Sequence, residues 1–450
     1  MGTTTEKLQA ILDSKADIKD AIEQKGVTVG STPLAGYAQK ILDIPSGGGE
    51  DEPYTDDAVR FFDYDGKQLL GMSKADFLAL DAMPANPATH DELVFTEWSH
   101  TLEEAKNYVS KYDYCDVMAL YDTVDGNTRV TVRVDAGDEI TTNVGGSPCE
   151  VVIDWGDGQE ETVTGSASII DATHIYAEAG DYTIVYDVKS GYIGINHTLF
   201  GYAAGINYKE VSTCNKVVSL HYGRSNGGRT YMLKGLNLEK ATGYQLVSPN
   251  DIEGGYPVKL KALFVRNYWY MALRYGATIR CVVLKEGIAN ISSSILQNCY
   301  NVDRILLPSG QTSVVASFAD NCYSAQVIVV PDGVTAIKYY AFRYCYKVKR
   351  IYLPEGLLTI DAAVFLYCYT LKEITIPSTV TSIGSNCFQD CITLKDLYMK
   401  PTTPPTINSN TFSGFPTDLT IHVPQGTLAT YQATTNWSSL AQYMVDDITE

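Results

Sequence analysis

The chain has 450 residues, 45% hydrophobic and 19% charged, which excludes a disordered chain and leaves room for roughly two to four ordinary domains. No run approaches the ~18 apolar residues of a spanning helix, so membrane insertion is not expected. With 34 basic against 53 acidic side chains the formal net charge is −19, which argues against a nucleic-acid partner and against an anionic membrane surface, since both need Lys and Arg. Residues 281–400 carry ten Lys and Arg against nine Asp and Glu, so the acid excess sits mainly in the N-terminal half, as a solvated face.

Residues 1–45 read as a helical attachment segment. The stretch from Met1 to Leu8 enters a polar helical pattern with no apolar h-region, so no secretory signal peptide is expected, and Glu6 breaks the myristoylation pattern. One helix is expected from Thr5 to Lys25, stopped by Gly26; a second opens at Thr32-Pro33 and ends before Pro45. Leu8, Ile11, Ile18 and Ile22 hint at a heptad that Lys15 and Lys25 interrupt. Residues 46–57, with Ser46-Gly-Gly-Gly-Glu-Asp-Glu-Pro53, are a flexible acidic Gly-rich linker.

Residues 58–127 read as a small α+β module. Val59 to Tyr64 is strand-like, and Asp65-Gly66 signals a hairpin turn. Ser73-Lys-Ala-Asp76 and Thr101-Leu-Glu-Glu104 are capping boxes, the second opening a helix with Leu102, Ala105, Val109 and Tyr112 on one side. Asp63-Tyr-Asp-Gly66, Met83-Pro-Ala-Asn-Pro87, His90 and Trp98 resemble a module of gut-bacteriophage virion proteins. The helical pair before it resembles N-terminal segments of phage tail and fibre proteins. These resemblances imply attachment to other virion proteins through the N-terminal region.

Residues 128–190 alternate apolar and polar positions: Val130, Val132 and Val134, then Val151 and Ile153, then Tyr182, Ile184 and Tyr186. Short alternating strands between Gly and Asp turns predict a β-sandwich. Val151-Val-Ile-Asp-Trp-Gly-Asp-Gly158 and His174-Ile-Tyr-Ala-Glu-Ala-Gly-Asp-Tyr-Thr-Ile184 together resemble the PKD domain, an immunoglobulin-like module. Asp154 and Asp157 have two readings, a calcium site or, the favoured one, a tight turn in which Asp and Gly supply left-handed geometry.

Residues 191–440 read as a solenoid, regular over 281–400 and closed by a cap at 401–440. Cys299, Cys322, Cys345, Cys368 and Cys391 recur every 23 residues, and other columns follow them. Ile305, Ile328, Ile351, Ile374 and Leu397 form one; Leu307, Val330, Leu353, Ile376 and Met399 form the next. Pro308, Pro331, Pro354 and Pro377 then end a short strand, and glycines at 287, 310, 333 and 356 turn the chain where φ is expected to be positive. Each turn exposes apolar sides until a neighbour covers them, so stacking is obligatory. Cysteine suits such an interior as a small hydrophobe. All ten cysteines are expected reduced; Cys115, Cys149, Cys214, Cys281 and Cys387 show no CxxC pairing, so zinc is not expected. The run Ile351 to Leu371 resembles the BspA-type leucine-rich repeat, and Val423 to Tyr431 followed by Trp437 resembles its closing segment. The resemblance implies adhesion and surface contact. Tyr300, Tyr323, Tyr346 and Tyr369 follow the repeat cysteines, and Asn298, Asn321, Tyr344 and Tyr367 precede them. They are either a stacked structural ladder or a ligand surface, for which Tyr and Asn offer contact area and adaptable hydrogen bonds.

Motifs for chemistry are lacking. There is no GxxxxGK[ST] loop and no HExxH, and the six histidines are scattered. Gly223-Arg-Ser-Asn-Gly227 has a nucleophile-elbow spacing, but no helical pattern follows it. Paired carboxylates for glycoside hydrolysis are not legible in sequence. The chain is therefore expected to be no enzyme and to use no catalytic residue, metal or cofactor. The favoured reading is a phage virion appendage, a tail fibre or related receptor-binding protein. It would be homo-oligomeric and assembled in the host cytoplasm, with the solenoid meeting a host-surface protein or glycan. The alternatives are a bacterial cell-surface adhesin and, third, a polysaccharide-degrading enzyme.

Overall fold

A computed structural model describes residues 55–85, 90, 92–166, 170–195, 198–200, 217–221, 240–242, 262–265, 279–284, 291 and 293–449. The expected helices of 1–45, most of the linker, part of the 83–87 motif, the Gly223–Gly227 motif and most of 200–280 lie outside the described residues.

The first unit is a four-stranded sheet with two helices. β1 (Val59–Phe62), β2 (Gln68–Met72), α1 (Lys74–Leu78), β3 (Leu93–Trp98), α2 (Leu102–Tyr112) and β4 (Cys115–Thr123) follow in the chain. The sheet order is β2-β1-β4-β3. β1 and β4 run parallel, which demands a crossover, and the path through α2 supplies it. The Thr101 box closes as the sequence predicts. Thr101 Oγ1 accepts from Glu104 N at 3.2 Å, and Glu104 Oε2 accepts from Thr101 N at 2.7 Å. All of β1 is buried because both faces of the sheet are covered. Val59 and Phe61 pack with Phe77, Ala105 and Val109 of the helices, while Phe62 and Met118 pack on Cys281 and Val283 of the solenoid.

The second unit is a bent sheet, antiparallel except where β12 runs parallel to β11. It contains β5 (Thr128–Val134), β6 (Glu139–Asp154), β7 (Glu160–Gly165), β8 (Ile170–Ile175), β9 (Gly180–Ile195), β10 (Thr198–Phe200), β11 (Val217–His221) and β12 (Lys240–Thr242). The main path is β12-β11-β5-β9-β6-β7, with β8 on β6 and β10 on β9. β6 pairs first with β8 and then with β7, and its register with β9 breaks between Gly145 and Glu150. The break needs glycine. A Cβ on Gly146, at φ 135°, would stand 2.8 Å from the Gly191 Cα. β9 runs past residue 190, and Val217–His221 joins this sheet beside β5, because the alternating Val130 and Val132 strand still had an open edge to pair.

The two sequence motifs of this sheet meet. Asp154 Oδ1 accepts from Gly156 N at 2.9 Å, and Asp157 Oδ1 from Gln159 N at 3.1 Å. Asp157 Oδ2 lies 2.8 Å from His174 Nε2, the His174 ring stacks on Trp155 at 5.0 Å, and Tyr176 Oη donates to Trp155 O at 2.9 Å. The Asp carboxylates are engaged in turn geometry and a His contact. Among the described residues, no group of three His, Cys, Asp or Glu is placed to hold a metal ion.

The third unit is a solenoid of parallel strands. β13 (Ala262–Val265) pairs with β14 (Cys281–Leu284). β15 (Arg304–Leu306), β16 (Ser313–Val314), β17 (Val327–Val329), β18 (Ala336–Ile337), β19 (Arg350–Tyr352), β20 (Thr359–Ile360), β21 (Glu373–Ile376), β22 (Ser382–Ile383) and β23 (Asp396–Met399) follow, two per turn. β15-β17-β19 form one sheet and β16-β18-β20-β22 another, all in parallel register at intervals of 23. β24 (Thr420–Pro424), α3 (Leu428–Ala433) and β25 (Met444–Ile448) close the end, where β21-β23-β24-β25 form a last sheet. Gly310, Gly333 and Gly356 have φ of 88°, 90° and 118°, as the repeat predicts. Trp437 is fully buried over the last turn and donates from Nε1 to Pro405 O at 2.7 Å.

The five repeat cysteines are fully buried, and every described cysteine is a free thiol. Four of these thiols point at a carbonyl of the preceding turn: Cys322 Sγ to Leu296 O at 3.2 Å, Cys345 Sγ to Ala319 O at 3.6 Å, Cys368 Sγ to Phe342 O at 3.7 Å and Cys391 Sγ to Phe365 O at 3.2 Å.

The first unit sits on the outward face of the solenoid sheet. Arg60 bonds Asp116 at 2.8 and 2.6 Å within its own sheet, and reaches Asp303 of the solenoid at 2.6 and 3.1 Å. Arg304 returns to Asp116 at 3.3 Å and to Asp57 O at 2.6 Å. Burial opposes the Asp116 charge, but the two guanidinium groups outweigh it and hold the carboxyl below the usual carboxylate range. Around these ions Tyr108 and Tyr112 of α2 pack with Val327 and Val329, and Tyr108 Oη donates to Leu307 O at 2.9 Å.

Candidate functional site

Beyond its second short strand, each solenoid turn passes through two left-handed residues. Ser294, Ser317, Tyr340, Ala363 and Asn386 occupy the first position; Asn298, Asn321, Tyr344, Tyr367 and Asp390 occupy the second, all with φ between 52° and 65°. That conformation aims each N–H at the next turn. Asn321 N donates to Arg343 O at 2.9 Å, Tyr344 N to Leu366 O at 2.9 Å and Tyr367 N to Gln389 O at 3.0 Å. Asn and Asp tolerate this backbone; an ordinary L-residue loses about 1–2 kcal/mol there. Where Asn occupies the column its side chains also bond, Asn321 Nδ2 to Asn298 Oδ1 at 2.6 Å.

The sequence-predicted residues come together as two adjacent stacks. In the inner one, the rings of Tyr300, Tyr323, Tyr346 and Tyr369 follow at 4.8, 4.7 and 5.0 Å. Tyr323 and Tyr346 are buried, and burial pushes the Tyr346 phenol far above its ordinary range. Tyr346 Oη has no hydrogen-bond partner among the described residues. In the outer stack, Tyr344 and Tyr367 lie 5.0 Å apart with rings within 6° of parallel. They cover Tyr346 and Tyr369 edge-on, each at 5.8 Å, and remain partly open to solvent. The inner stack has ladder geometry and the outer one surface geometry.

Three residues outside those columns complete the outer surface. Tyr339 is 52% exposed and Tyr340 37%, their rings nearly perpendicular at 5.5 Å. The Arg343 guanidinium lies 4.2 Å from the Tyr340 ring centroid and 4.9 Å from that of Tyr344. It is held there by Asp320, which is fully buried and accepts two bonds at 2.9 and 2.7 Å. Burial works against the Arg343 charge, and the Asp320 carboxylate overcomes it and raises the pKa. The signals in the sequence were an Asp–Arg pair one repeat apart and a Tyr in a column otherwise filled by Ser, Ala or Asn.

The family described as BspA type Leucine rich repeat region matches in six copies, over residues 272–395 and 315–434. The chain carries a BspA-type repeat region. No curated protein sequence matches it. Among solved structures, it is similar to the T. pallidum leucine-rich repeat protein TpLRR, at 22% identity over 38% of this chain and 66% of that one, TM-score 0.24. A leucine-rich repeat protein from Bacteroides ovatus ATCC 8483 aligns at 15% identity over 48% and 68%, TM-score 0.27. The pneumococcal vaccine antigen PcpA aligns at 12% identity over 48% and 73%, TM-score 0.25. The chain spans about two thirds of the first of these structures.

Proposed function

We propose that this protein binds a bacterial surface without chemical turnover, through the outer tyrosine column of its repeat region. The observation that carries this reading is the backbone of Tyr344 and Tyr367. Both are held at positive φ where the two preceding turns use Asn. A strained residue with a less costly alternative in the same column points to a side chain kept for contact. Tyr suits that role, because it offers a large rigid surface with few rotatable bonds.

Two settings fit this binding role. In the first the protein is a virion appendage, residues 1–45 joining other virion proteins and the PKD-like unit acting as a spacer; the phage-like N-terminal segments favour it. In the second it is a bacterial cell-surface protein, and the BspA-type repeat region fits that equally well. Adjacent tail or capsid genes favour the first, adjacent cell-wall genes the second. The binding role itself is tested with labelled full-length chain on whole bacterial cells. Saturable binding with no release of sugar or peptide over hours is expected; progressive loss of cell-surface polysaccharide would replace it with a degradative role.

A further inference from the structure

We propose that the outer aromatic patch, Tyr339, Tyr340, Arg343, Tyr344 and Tyr367, binds a neutral glycan chain laid along the solenoid axis. The inference rests on the surface-binding reading above and names its ligand class.

The first argument is charge. The chain as a whole is strongly acidic, yet its patch is built around a cation. Arg343 is committed inwards, bonded twice by the fully buried Asp320 and lying over the faces of Tyr340 and Tyr344. Its role is to brace two rings, and its charge is met before any ligand arrives. Within these five residues the one cation is already committed, and the carboxylate that continues their column, Asp390, accepts from Gln389 Nε2 at 3.1 Å. The patch presents aromatic surface edged by phenolic oxygens, a match for sugar rings with apolar C–H faces and hydroxyl rims.

The second argument is size. A Tyr side chain offers 150–250 Å² in full, so four rings at the observed partial exposure present on the order of 300 Å². A stable protein partner needs about 800 Å² on each side. The patch is too small for that and large enough for a few sugar units.

The third argument is rigidity and direction. Tyr344 and Tyr367 are fixed by their left-handed backbone, by stacking on each other and by the rings beneath them. Pre-organised rings lose little freedom on binding. Because Tyr367 repeats Tyr344 one turn further along the solenoid axis at 5.0 Å, a ligand laid along that axis meets equivalent rings in two successive turns.

The test uses the full chain and a panel of neutral linear oligosaccharides of glucose, mannose and galactose, read by calorimetry. A parallel assay measures binding to whole cells. The first variant is Tyr340→Ser with Tyr344→Asn, residues that the preceding turn already carries at 317 and 321. It should melt within a few degrees of the parent. At least one oligosaccharide should bind the parent, and the variant should lose about tenfold or more in affinity. If the variant fails to fold, Tyr340→Phe with Tyr344→Phe removes only hydroxyls, and a similar direction of loss is expected. Cell binding that no neutral sugar competes, or that protease treatment of the cells abolishes, overturns the glycan and leaves surface binding standing. Binding to acidic glycans alone also overturns it. Absence of cell binding as well as sugar binding overturns both readings.

Discussion

At the scale of single residues, the repeat cysteines show how position sets chemistry. Burial is the first cause that pushes the Cys322 and Cys368 thiols far above their ordinary range, and it raises Cys391 to about 12. A thiol that cannot ionise is neither a nucleophile nor a metal ligand, so the repeat cysteines should resist alkylation at pH 8 in the native protein and react only after unfolding. Rapid native modification of the repeat cysteines, located by peptide mass spectrometry, would contradict their burial. The carbonyl distances rank serine replacements, because a C–O bond is shorter than a C–S bond. Cys322→Ser keeps Leu296 O within reach and should cost about 1 kcal/mol; Cys368→Ser, with its carbonyl at 3.7 Å, should cost about 2–3 kcal/mol by burying an unsatisfied hydroxyl. Urea midpoints in the opposite order would reject that account. The same thiols and the buried Tyr346 phenol also set an alkaline limit. Their folded pKa values exceed the unfolded ones, so the unfolded chain loses these protons first as pH rises. Their contribution is full below about pH 8.5, the unfolded cysteine value, and declines above it. The urea midpoint should therefore fall steadily from about pH 9 towards pH 11, and a midpoint that rises there would be inconsistent with neutral burial. The cysteine column was legible in the sequence because each turn repeats it. The left-handed backbone of Tyr340 and Tyr344 was not, since tyrosine is among the residues least associated with that conformation.

At the scale of elements, parallel stacking explains both what holds the repeat together and where it has to stop. An inward column such as Ile328, Ile351 and Ile374 is covered on both sides by its own copies, but the last turn has a copy on one side only. The end is closed by a different device, with Tyr431 and Trp437 packed edge to face at 5.2 Å, and with Tyr431 Oη and Trp437 Nε1 bonding Pro401 O and Pro405 O, both at 2.7 Å. Phe412 continues the Phe365 and Phe388 stack into that cap. Trp437→Ala removes the largest fully buried side chain among the described residues and should cost about 3–5 kcal/mol, lowering the melting temperature and exposing the edge of the final sheet to aggregation. A variant melting within a degree or two of the parent would mean that the closing segment is dispensable. The existence of a cap was legible from Val423 to Trp437. Its bonds were not, because Pro401 and Pro405 stand outside the 23-residue period and carry no pattern.

At the scale of the whole molecule, the placement of the first unit changes what counts as a module. From sequence, the segment over 58–127 and the solenoid over 191–440 read as separate units. Their contact was illegible for a physical reason. Arg60, Asp116, Asp303 and Arg304 are each unremarkable surface residue types in their own segment, and only the fold brings them together across an interval of 243 residues. Val327 and Val329 did carry a trace of it: they are apolar at outward strand positions where later turns have Glu373 and Thr375. Cutting the chain at 200 would uncover that apolar pair and leave Asp303 and Arg304 without the partners that β1 and β4 supply. In the fragment those two charges regain water, so its penalty comes from the uncovered apolar pair; in the intact chain, removing one member of the buried network costs about 3–5 kcal/mol, because the remaining charges stay desolvated and unpaired. The fragment 200–450 should therefore be poorly soluble and melt well below a fragment 55–450. Asp116→Ala in the full chain separates the two causes. It should lower stability by about 3–5 kcal/mol through the network alone, leaving the apolar cover of Val327 and Val329 in place and the protein soluble. If 200–450 is instead soluble, cooperative in its melting and as stable as 55–450, the two units touch without depending on each other. The outer tyrosine patch would then belong to a solenoid that folds alone.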